Sequence, residues 1–475
     1  MKNNLLFLKS SQITNNAFNS TTEVIEWLKE KNNSLQIEIN RCDLKNLDGW
    51  KCEYPLKKIS HNSGGFFSIV GIDVQTNWGS KSSWSQPIIN QPEIGYLGFI
   101  TKEFDGVLYF LAQAKIEPGN INYVQLSPTL QATKSNYTQK HKGKTPNYLS
   151  YFQDRNNNEI LSDQLQSEQG ARFLSKRNRN IIIKISEEIE ILDDFCWLTL
   201  GQINELLRFD NLVNMDTRTI ISGIQLGSYD KKSIDLYMLM REGNNYTDTL
   251  FLKSELSKDN SYNSMDQIIH WFTNLKTIYE LNVKTIPLDQ LSQWIIDKDR
   301  IYHVDNKYFE VVGVEVVIEN REVIKWSQPL ISPVQSGICA FIVKVIDGIA
   351  HFLVQAKMEV GNFDVLEFAP TVQCVTGSYS DENSLNNLPY LNFVLNAPKS
   401  SIVLDTYQSE EGGRFYREQN RNLIILADDN FELELSSNYI WISLHQLKMF
   451  LKFNNYLNIQ ARSLLSLIPY NKTSI

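Results

Sequence analysis

The 475 residues of this chain are more than one hydrophobic core usually holds, so the sequence predicts at least two domains. Hydrophobic residues make up 42% of the chain and charged residues 21%, which is an ordinary globular composition and excludes a disordered protein. The net charge of −8 argues against a nucleic-acid-binding protein, which needs a basic face, but it leaves room for a local basic patch facing a small anion.

The first half of the chain predicts a helix, a set of strands and a closing helix. Residues 1–19 are polar and are expected to be loosely ordered. The capping box STTE at residues 20–23 predicts that a helix begins there. An Asp-Gly pair at residues 105–106 predicts a hairpin, and a second capping box at residues 199–202 predicts the closing helix. The predicted strands cover residues 66–74, 95–100, 107–115 and 181–185.

The second half repeats this pattern at a nearly constant distance. Trp84 corresponds to Trp326 and Asn180 to Asn422, in each case 242 residues later (326 − 84 = 242; 422 − 180 = 242). No insertion accumulates between these positions. The chain is therefore predicted to be a duplicated module, and the polar residues kept in both copies are the candidates for its chemistry.

The second copy predicts the same elements as the first. Its helices begin at capping boxes over residues 264–267 and 443–446, and an Asp-Gly pair at 347–348 predicts its hairpin. Helices that flank mainly antiparallel strands predict an α+β fold. The predicted limits are a first module over residues 20–227, a linker over 228–263 that is not a simple tether, and a second module over 264–475.

The cysteines and the apolar runs predict a cytoplasmic protein. The run of four apolar residues near the start is too short for a signal-peptide core, and no run approaches the roughly 20 apolar residues of a membrane helix. The cysteines are odd in number and include no CxxC pair, which favours thiols in a reducing compartment. They are Cys42, Cys52, Cys196, Cys339 and Cys374.

A polar trio is predicted at the end of one strand in each copy. Because side chains alternate along a strand, Gln113, Lys115 and Glu117 share one face where the strand over residues 107–115 ends. An amide, an ammonium and a carboxylate in one place indicate a pocket wall, although a solvated lysine–glutamate pair has the same pattern. The second copy has Gln355, Lys357 and Glu359.

Glu168 and Glu410 occupy the motif Gln-Ser-Glu-x-Gly in the two copies. The glycine lets the backbone approach a ligand closely, so each glutamate is a candidate general base. The alternative is a glutamate that caps a helix or forms a salt bridge.

Basic residues follow each of these glutamates. The first copy has Arg172 and Arg179, and the second has Arg414 and Arg421. Guanidinium groups bind a diphosphate with two parallel hydrogen bonds, so these arginines are candidate substrate contacts. The alternative is a solvated basic face.

The segment over residues 127–148 adds candidates that differ between the copies. Tyr137 is predicted to donate a proton or to hold an enolate oxygen, or else to plug the core of its module. The second copy lacks the portion around His141, so the first copy is predicted to be the working one. The other candidates here are Thr129, Gln131 and Asn136, with Thr371, Gln373 and Tyr379 in the second copy.

Trp84 and Trp326 are predicted to stack on a base or sugar, with a place in the core as the alternative. The remaining predicted substrate contacts are Gln86, Asn120 and Gln125. The sequence has no GxGxxG after a strand, no P-loop and no HExxH, and its six histidines are scattered. No metal and no cofactor are therefore expected.

The runs QAKIEPGN, VQLSPTLQAT, SNYT, QSEQGARF and NRN, duplicated in weaker form, resemble the NDP-hexose 2,3-dehydratase family. The resemblance covers nearly the whole chain and implies two tandem Nudix-like modules and a homodimer. No glutamate-rich Nudix box of the REXXEE kind is present, so pyrophosphate hydrolysis is not implied.

The resemblance also implies a substrate and a reaction. The substrate is a nucleotide-linked sugar, typically dTDP-4-keto-6-deoxyglucose, and water is lost across C2 and C3 to give a 3,4-diketo-2,6-dideoxy sugar. Glu168 is then expected to act as base and Lys115 or Tyr137 to hold the oxyanion, with a tyrosine or the re-protonated glutamate as acid. Arg172 and Arg179 are expected to hold the diphosphate. The product is labile, so a ketoreductase is the expected functional partner.

Two other functions remain open at this point. A non-catalytic nucleotide-sugar-binding protein needs Trp84, Gln86 and the arginines but neither Glu168 nor Lys115. A Nudix-like hydrolase needs clustered glutamates and a divalent metal, and the sequence shows no such cluster.

Overall fold

The structure, a computed structural model, describes residues 2–52, 55–137, 145–153, 158–240, 246–318, 324–374, 388–433 and 435–470. The helices of the first repeat are α1 (Lys2–Ser11), α2 (Thr21–Asn33), α3 (Lys134–Tyr137), α4 (Leu149–Gln153), α5 (Leu200–Leu206) and α6 (Met215–Ser222). Its strands are β1 (Ile37–Cys42), β2 (Trp50–Lys51), β3 (Lys58–His61), β4 (Ser68–Thr76), β5 (Ser83–Asn90), β6 (Gly95–Phe104), β7 (Val107–Ile116), β8 (Val124–Ser127), β9 (Leu130–Ala132), β10 (Glu159–Ser167), β11 (Phe173–Leu174), β12 (Arg177–Ile185) and β13 (Phe195–Thr199).

Helix α7 (Lys231–Met240) leads to the second repeat, whose described elements follow nearly the same order. The counterpart of β11 there is a single bridge between Ile331 and Phe415. Its helices are α8 (Tyr246–Leu256), α9 (Met265–Ile278), α10 (Leu391–Leu395), α11 (Leu444–Phe450) and α12 (Ile459–Ser466). Its strands are β14 (Leu281–Ile286), β15 (Trp294–Ile296), β16 (Arg300–His303), β17 (Phe309–Ile318), β18 (Lys325–Pro333), β19 (Gly337–Ile346), β20 (Ile349–Lys357), β21 (Glu367–Ala369), β22 (Val372–Cys374), β23 (Ile402–Ser409), β24 (Gln419–Leu426) and β25 (Tyr439–Ser443).

Each repeat builds one large sheet from its own strands. In the described part of the chain the first large sheet has the order β10-β12-β6-β7-β13, with β8 on β7 and β9 on β6. The second has the order β23-β24-β19-β20-β21, with β22 on β19 and β25 on β20. Most pairs are antiparallel, but β12 runs parallel to β6 and β24 parallel to β19. The fold is therefore mixed α+β, as predicted.

The two smaller sheets exchange a strand between the repeats. Strand β1 of the first repeat pairs with β17 of the second, and β14 of the second pairs with β4 of the first. Gly71 lies on β4 and Gly313 on β17. A Cβ at Gly71 would lie 2.9 Å from the Ile286 carbonyl oxygen, and one at Gly313 would lie 2.6 Å from that of Cys42. Both glycines thus make room for the exchanged backbone.

Local sequence signals for helix starts and hairpins are confirmed. The serines and the threonine at positions 20, 199, 264 and 443 all form complete capping boxes. Asp105 and Gly106 adopt φ angles of 49° and 73° in the turn between β6 and β7, and Asp347 and Gly348 repeat this between β19 and β20.

The prediction that residues 1–19 are loosely ordered is wrong. Helix α1 packs on β7, where Phe7 lies 6.2 Å from Phe110 between ring centroids. In the second repeat, Phe251 of α8 lies 5.9 Å from Phe352 in the same way. Phe7 and Phe251 are equivalent (251 − 7 = 244), so the repeat begins earlier than the polar composition indicates. Burial of a few apolar side chains outweighs the polar residues between them.

The predicted linker over residues 228–263 accordingly contains α8, a helix that packs on β20 of the second repeat. The largest hydrophobic core includes buried residues of both repeats, from Phe7 to Tyr470. None of the described helices has the length and apolar character needed to cross a membrane.

Candidate active site

The loop after β7 interlocks with the Gln-Ser-Glu turn of the second repeat. The equivalent loop after β20 interlocks with the Gln-Ser-Glu turn of the first repeat. The Gly119 amide donates to the Gly412 carbonyl at 2.7 Å, and the Gly361 amide donates to the Gly170 carbonyl at 2.8 Å. A Cβ at Gly119 would lie 1.6 Å from the Phe415 carbonyl oxygen. Backbone cannot move away as a side chain can, so this loop needs glycine. The polar residues of the two repeats are thereby brought together.

Two buried arginines hold these turns from the opposite repeat. Arg462 of α12 donates from Nη2 to the Ser167 carbonyl, and Arg218 of α6 donates from Nη2 to the Ser409 carbonyl. Each is about 1% exposed or less. Sequence reasoning missed both, although each stands four residues after a helix-capping asparagine, Asn214 or Asn458, in both copies.

Glu168 is buried where the two repeats meet. Its Oε1 accepts a hydrogen bond of 2.6 Å from Asn178 Nδ2. Burial raises the pKa of its carboxyl, while Arg462 first and then Lys176 lower it by their positive charges. Lys176 is also buried, and its Nζ donates to the Glu93 carbonyl.

The strand-tip residues of the first repeat lie near Glu168. Gln131 Nε2 donates to Glu117 Oε1 at 2.5 Å, and Lys115 Nζ donates to the Gln131 carbonyl at 3.3 Å. Asp216, at the start of α6, is the neighbour they share with Glu168. Burial raises the pKa of Asp216 well above its ordinary value, Glu411, Glu117 and Glu168 raise it further, and Lys115 lowers it.

Glu411 completes this group from the second repeat. Burial raises its pKa to about 7, Arg414 lowers it, and Glu168 and Glu117 raise it. A Cβ at Gly413 would lie 3.0 Å from Glu411 Oε1 and 4.0 Å from Glu117 Oε1, so the two carboxyls face the same space. We name as the first cluster the residues Lys115, Glu117, Gln131, Glu168, Lys176, Asp216 and Glu411.

A second cluster has the equivalent geometry around Glu410. Its Oε1 accepts from Asn420 Nδ2 at 2.5 Å, and Gln373 Nε2 donates to Glu359 Oε1 at 2.9 Å. Burial raises the pKa of Glu410 to about 7, with Arg218 and Arg172 lowering it. The second cluster comprises Arg172, Lys357, Glu359, Gln373, Glu410 and Glu418.

The clusters differ in charge at three equivalent positions. Lys176 of the first cluster corresponds to Glu418 of the second, whose pKa burial raises to about 8. Glu411 corresponds to Gln169, and Asp216 to Gln460. Only the first cluster therefore places a lysine beside its Gln-Ser-Glu glutamate.

The predicted substrate contacts Thr129 and Thr371 serve the fold. Thr129 Oγ1 donates to the Leu111 carbonyl and accepts from the Ile100 amide at 2.9 Å, which ties β7 to β6. Thr371 makes the same two bonds to Leu353 and Ile342. Both hydroxyls are buried and used, which explains their presence in both copies without a ligand.

Replacing Thr129 by valine is expected to lower the free energy of unfolding by about 1–3 kcal/mol and to leave KM for the substrate unchanged, because buried backbone groups lose their partner. Denaturant unfolding and steady-state kinetics check this. Thr371→Val is the matched control and is expected to behave alike. A rise in KM at unchanged stability would instead make Thr129 a substrate contact.

The tryptophans predicted to stack on a ligand lie on the smaller sheets. Trp84 Nε1 donates to Gln86 Oε1 at 2.9 Å, and Gln86 Nε2 donates to the Ala171 carbonyl at 3.2 Å. Trp326 donates to Gln328 in the same manner. These contacts hold the chain that follows each Gln-Ser-Glu turn, so Gln86 and both tryptophans have a structural task.

The arginines predicted to hold a diphosphate face carboxylates or an amide. Arg179 forms a bidentate pair with Asp163 at 2.8 and 2.6 Å, as Arg421 does with Asp405. Burial lowers the pKa of Arg172, and the negative charges of Glu418, Glu359 and Glu410 offset part of this effect. Arg414 donates from Nε and Nη2 to Gln91 Oε1.

Tyr137, Gln125 and Asn120 also have contacts within the protein. Tyr137 packs against Tyr96, and its hydroxyl donates to the Ile94 carbonyl at 3.4 Å, next to Glu93. Gln125 accepts from Ser409 Oγ at 2.9 Å, and Asn120 Nδ2 donates to the Tyr123 carbonyl at 3.3 Å.

Gln113 and Gln355, the glutamines near the two strand ends, have different surroundings. Gln355 Nε2 donates to the Pro370 carbonyl at 2.8 Å, while Gln113 is half-buried on β7. Tyr379, His141 and the side chain of Asn136 lie outside the described residues.

Comparison with known proteins links this arrangement to one family. A family model described as NDP-hexose 2,3-dehydratase matches residues 21–224 and again residues 265–468. The two matches correspond to the two repeats, each with its own Gln-Ser-Glu turn.

Individual relatives match along almost their full length. A protein of Saccharopolyspora spinosa is 42% identical over 460 residues, 97% of this chain and 93% of its own. Proteins of Amycolatopsis orientalis and Streptomyces violaceoruber are 38% and 40% identical, over 94% and 93% of this chain and 90% and 95% of theirs. All three are named dTDP-4-dehydro-6-deoxy-alpha-D-glucopyranose 2,3-dehydratase.

Proposed function

This chain belongs to the NDP-hexose 2,3-dehydratase family, and from that premise we propose that it removes water across C2 and C3 of dTDP-4-keto-6-deoxyglucose to give a 3,4-diketo-2,6-dideoxy sugar. The names of three relatives at 38–42% identity support this substrate. The first cluster supports the reaction type, because it gathers carboxyls and amines in one buried place.

The reaction needs three protein groups. The C4 ketone acidifies the hydrogen on C3, so a base removes that proton and leaves an enolate. The enolate then expels the C2 hydroxyl, which takes a proton from an acid and departs as water. The resulting enol takes up a proton at C2 and becomes the 3,4-diketone. A cationic or hydrogen-bonding group must hold the C4 oxygen while it carries charge.

The charge around the glutamates supports Glu168 as the base. A base must be ionised before it accepts the proton, and two cations, Arg462 and Lys176, favour the ionised form of Glu168. Two cations, Arg218 and Arg172, likewise favour the ionised form of Glu410, but the place of Lys176 is taken there by Glu418, an acid. This difference between Lys176 and Glu418 is the observation that favours the first cluster over the second as the place of the reaction.

Lys115 and Glu411 supply the other two groups. The Lys115 ammonium lies at the end of β7 next to Asp216, and it binds the C4 oxygen as the enolate forms. Burial raises the pKa of Glu411 to about 7, which favours its protonated form, and Glu411 gives its proton to the C2 hydroxyl. Burial and the neighbouring carboxyls raise the pKa of Asp216 well above its ordinary value, which favours its neutral form beside Glu168.

The rate is therefore expected to depend on pH in a bell shape. The carboxyl of Glu168, whose pKa burial raises, must lose its proton, so the rate rises with pH on the acidic side. Glu411 must hold its proton, so the rate falls above about pH 7. Glu411→Gln is expected to remove this alkaline limb and to lower kcat by about 10²-fold. Profiles of kcat/KM against pH for both proteins check this.

A Glu411→Gln protein that keeps the alkaline limb would exclude Glu411 as the acid. The limb would then belong to another group, and Gln169→Glu, which adds the equivalent carboxyl to the second cluster, is a control that is expected to leave the profile unchanged.

One incubation tests the reaction itself. The protein is mixed with dTDP-4-keto-6-deoxyglucose, a ketoreductase and its reduced nicotinamide in deuterium oxide. The expected product is a 2-deoxy sugar that, relative to the starting ketose, has lost one water and gained two hydrogens by reduction, with one solvent deuterium at C2. Recovery of the starting ketose or its simple reduction product would contradict the dehydratase reaction.

The other features implied by the resemblance stay proposals. These are the tandem Nudix-like modules, the homodimer and the ketoreductase that consumes the product. The cytoplasmic location and the module limits at residues 20–227 and 264–475, which the sequence patterns predicted, also stay proposals; the limits leave out α1 and α8, which pack on the large sheets of the two repeats. Arg172 and Arg179 stay proposed diphosphate contacts, and Arg179 can bind the ligand only if the ligand displaces Asp163.

A further inference from the structure

Arg462 lies in the second repeat but makes hydrogen bonds to the first as well as to its own. It stands on α12 and is 1% exposed. Its Nε donates to Thr219 Oγ1 at 2.9 Å, its Nη1 to the Leu457 carbonyl at 2.6 Å, and its Nη2 to the Ser167 carbonyl. Three nitrogens of one planar group therefore tie three chain segments together, which a lysine ammonium cannot do in the same geometry.

The Ser167 side chain extends this network to the second repeat. Ser167 Oγ donates to Glu367 Oε2 at 2.9 Å and lies 3.5 Å from Arg462 Nη1. The residue after Ser167 is Glu168. Ser167, which directly precedes the proposed base, is thus held at its carbonyl by Arg462 and at its hydroxyl by Glu367.

Charged side chains from several segments of both repeats influence the ionisation of Glu168. Arg462 faces it from α12 and Lys176 from the residue before β12, and both favour its ionised form, Arg462 more strongly. Glu410 disfavours the ionised form from the second Gln-Ser-Glu turn. Glu411 and Asp216 are further carboxyls that interact with Glu168.

The chain contains its own control for this arrangement. Arg218 of α6 makes the corresponding bonds, from Nε to Ser463 Oγ at 2.9 Å and from Nη1 to the Val213 carbonyl at 2.7 Å, and it faces Glu410. At the position of Glu367 the first repeat has Gln125, which accepts from Ser409 Oγ at 2.9 Å.

We propose that Arg462 is a positioning residue for dehydration: it reaches across from the second repeat, fixes the Ser167 carbonyl and keeps the adjoining Glu168 carboxylate charged and aimed at the C3 hydrogen. The proposal rests on the proposed function, in which Glu168 is the base. It makes each repeat incomplete by itself, because the base stands on one repeat and its positioning arginine on the other.

Two substitutions at Arg462 separate position from charge. Arg462→Gln removes the charge and is expected to lower kcat by about 10²-fold and to move the acidic limb of the pH profile up by about one pH unit or more, because Glu168 then ionises less readily. Arg462→Lys keeps a charge but not the three bonds. It is expected to leave the acidic limb in place and still lower kcat by about 10-fold.

Arg218→Gln is the control, and it is expected to leave the acidic limb where it lies in the unmodified protein. If Arg462→Gln lowers kcat while that limb stays in place, or if Arg462→Lys retains full kcat, Arg462 has a structural role only and the proposal is overturned. If Arg218→Gln moves the limb and Arg462→Gln does not, the second cluster holds the base.

Glu168→Gln is measured in the same series. Full activity of Glu168→Gln shows that the base assignment has failed, whatever the arginine variants do. Loss of activity in Glu168→Gln with an unmoved acidic limb in Arg462→Gln shows that only the proposal for Arg462 has failed. Thermal unfolding of every variant identifies any that loses activity because it does not fold.

Discussion

Replacing Glu168 by glutamine is expected to lower kcat by about 10³-fold, because an amide does not accept the proton from C3. Glutamine retains the volume of the side chain, and its amide oxygen still accepts the hydrogen bond from Asn178. The fold should therefore persist. The measurement is kcat with dTDP-4-keto-6-deoxyglucose in the coupled ketoreductase assay, together with the loss of label from substrate that carries deuterium at C3.

Glu410→Gln is the matched control, because Glu410 has the same hydrogen bond from Asn420 and an arginine of the opposite repeat beside it. It is expected to keep kcat within an order of magnitude. The reverse result, an active Glu168→Gln and an inactive Glu410→Gln, would place the reaction in the second cluster. Full activity in both would remove these glutamates from the mechanism.

Replacing Gly119 by alanine is expected to lower the free energy of unfolding by about 3 kcal/mol or more and to abolish measurable turnover. The new methyl group would lie 1.6 Å from the Phe415 carbonyl oxygen, and the loop would have to leave its contact with Gly412. That contact brings Glu411 to Glu117, so the acid is displaced with it. Denaturant unfolding and kcat measure the two effects.

Gly348→Ala is the control for the loss of a glycine. Gly348 has a φ of 77°, and a Cβ there has nothing within 4 Å. Its cost is the strain of the left-handed conformation alone, about 1–2 kcal/mol, with unchanged activity at temperatures where the protein is folded. If Gly119→Ala were no less stable than Gly348→Ala, the interlocked loops would not have the rigid geometry described above.

The local elements could be predicted because their signals lie within a few residues. Ser20 and Glu23 satisfy each other's backbone groups at the start of α2, and Asp105 with Gly106 supplies the positive φ angles of a hairpin turn. The parallel pairing of β6 with β12 has no such local signal. Helix α1 was missed since its few apolar side chains become significant only against β7.

Part of the candidate site could be predicted, because it too has sequence signals that lie within a few residues. Glu168, Glu117 and Lys115 stood out because both copies keep them beside glycine or at a strand end. Thr129 and Trp84 stood out equally, yet their hydrogen bonds serve the backbone and Gln86. Duplication retains residues for folding as well as for chemistry, and the pattern alone does not distinguish the two.

By itself, the sequence determined the duplication, the helix starts, the hairpins and the two glutamates, Glu168 and Glu410, that are candidates for the general base. Only the tertiary structure decided how the two copies combine. Strands β1 and β14 are equivalent, so no local pattern tells whether β1 pairs with β4 or with β17. Arg462 reaches Ser167 across 295 positions of the chain. Such contacts depend on how the repeats pack, and packing is a property of the whole chain that no short segment encodes.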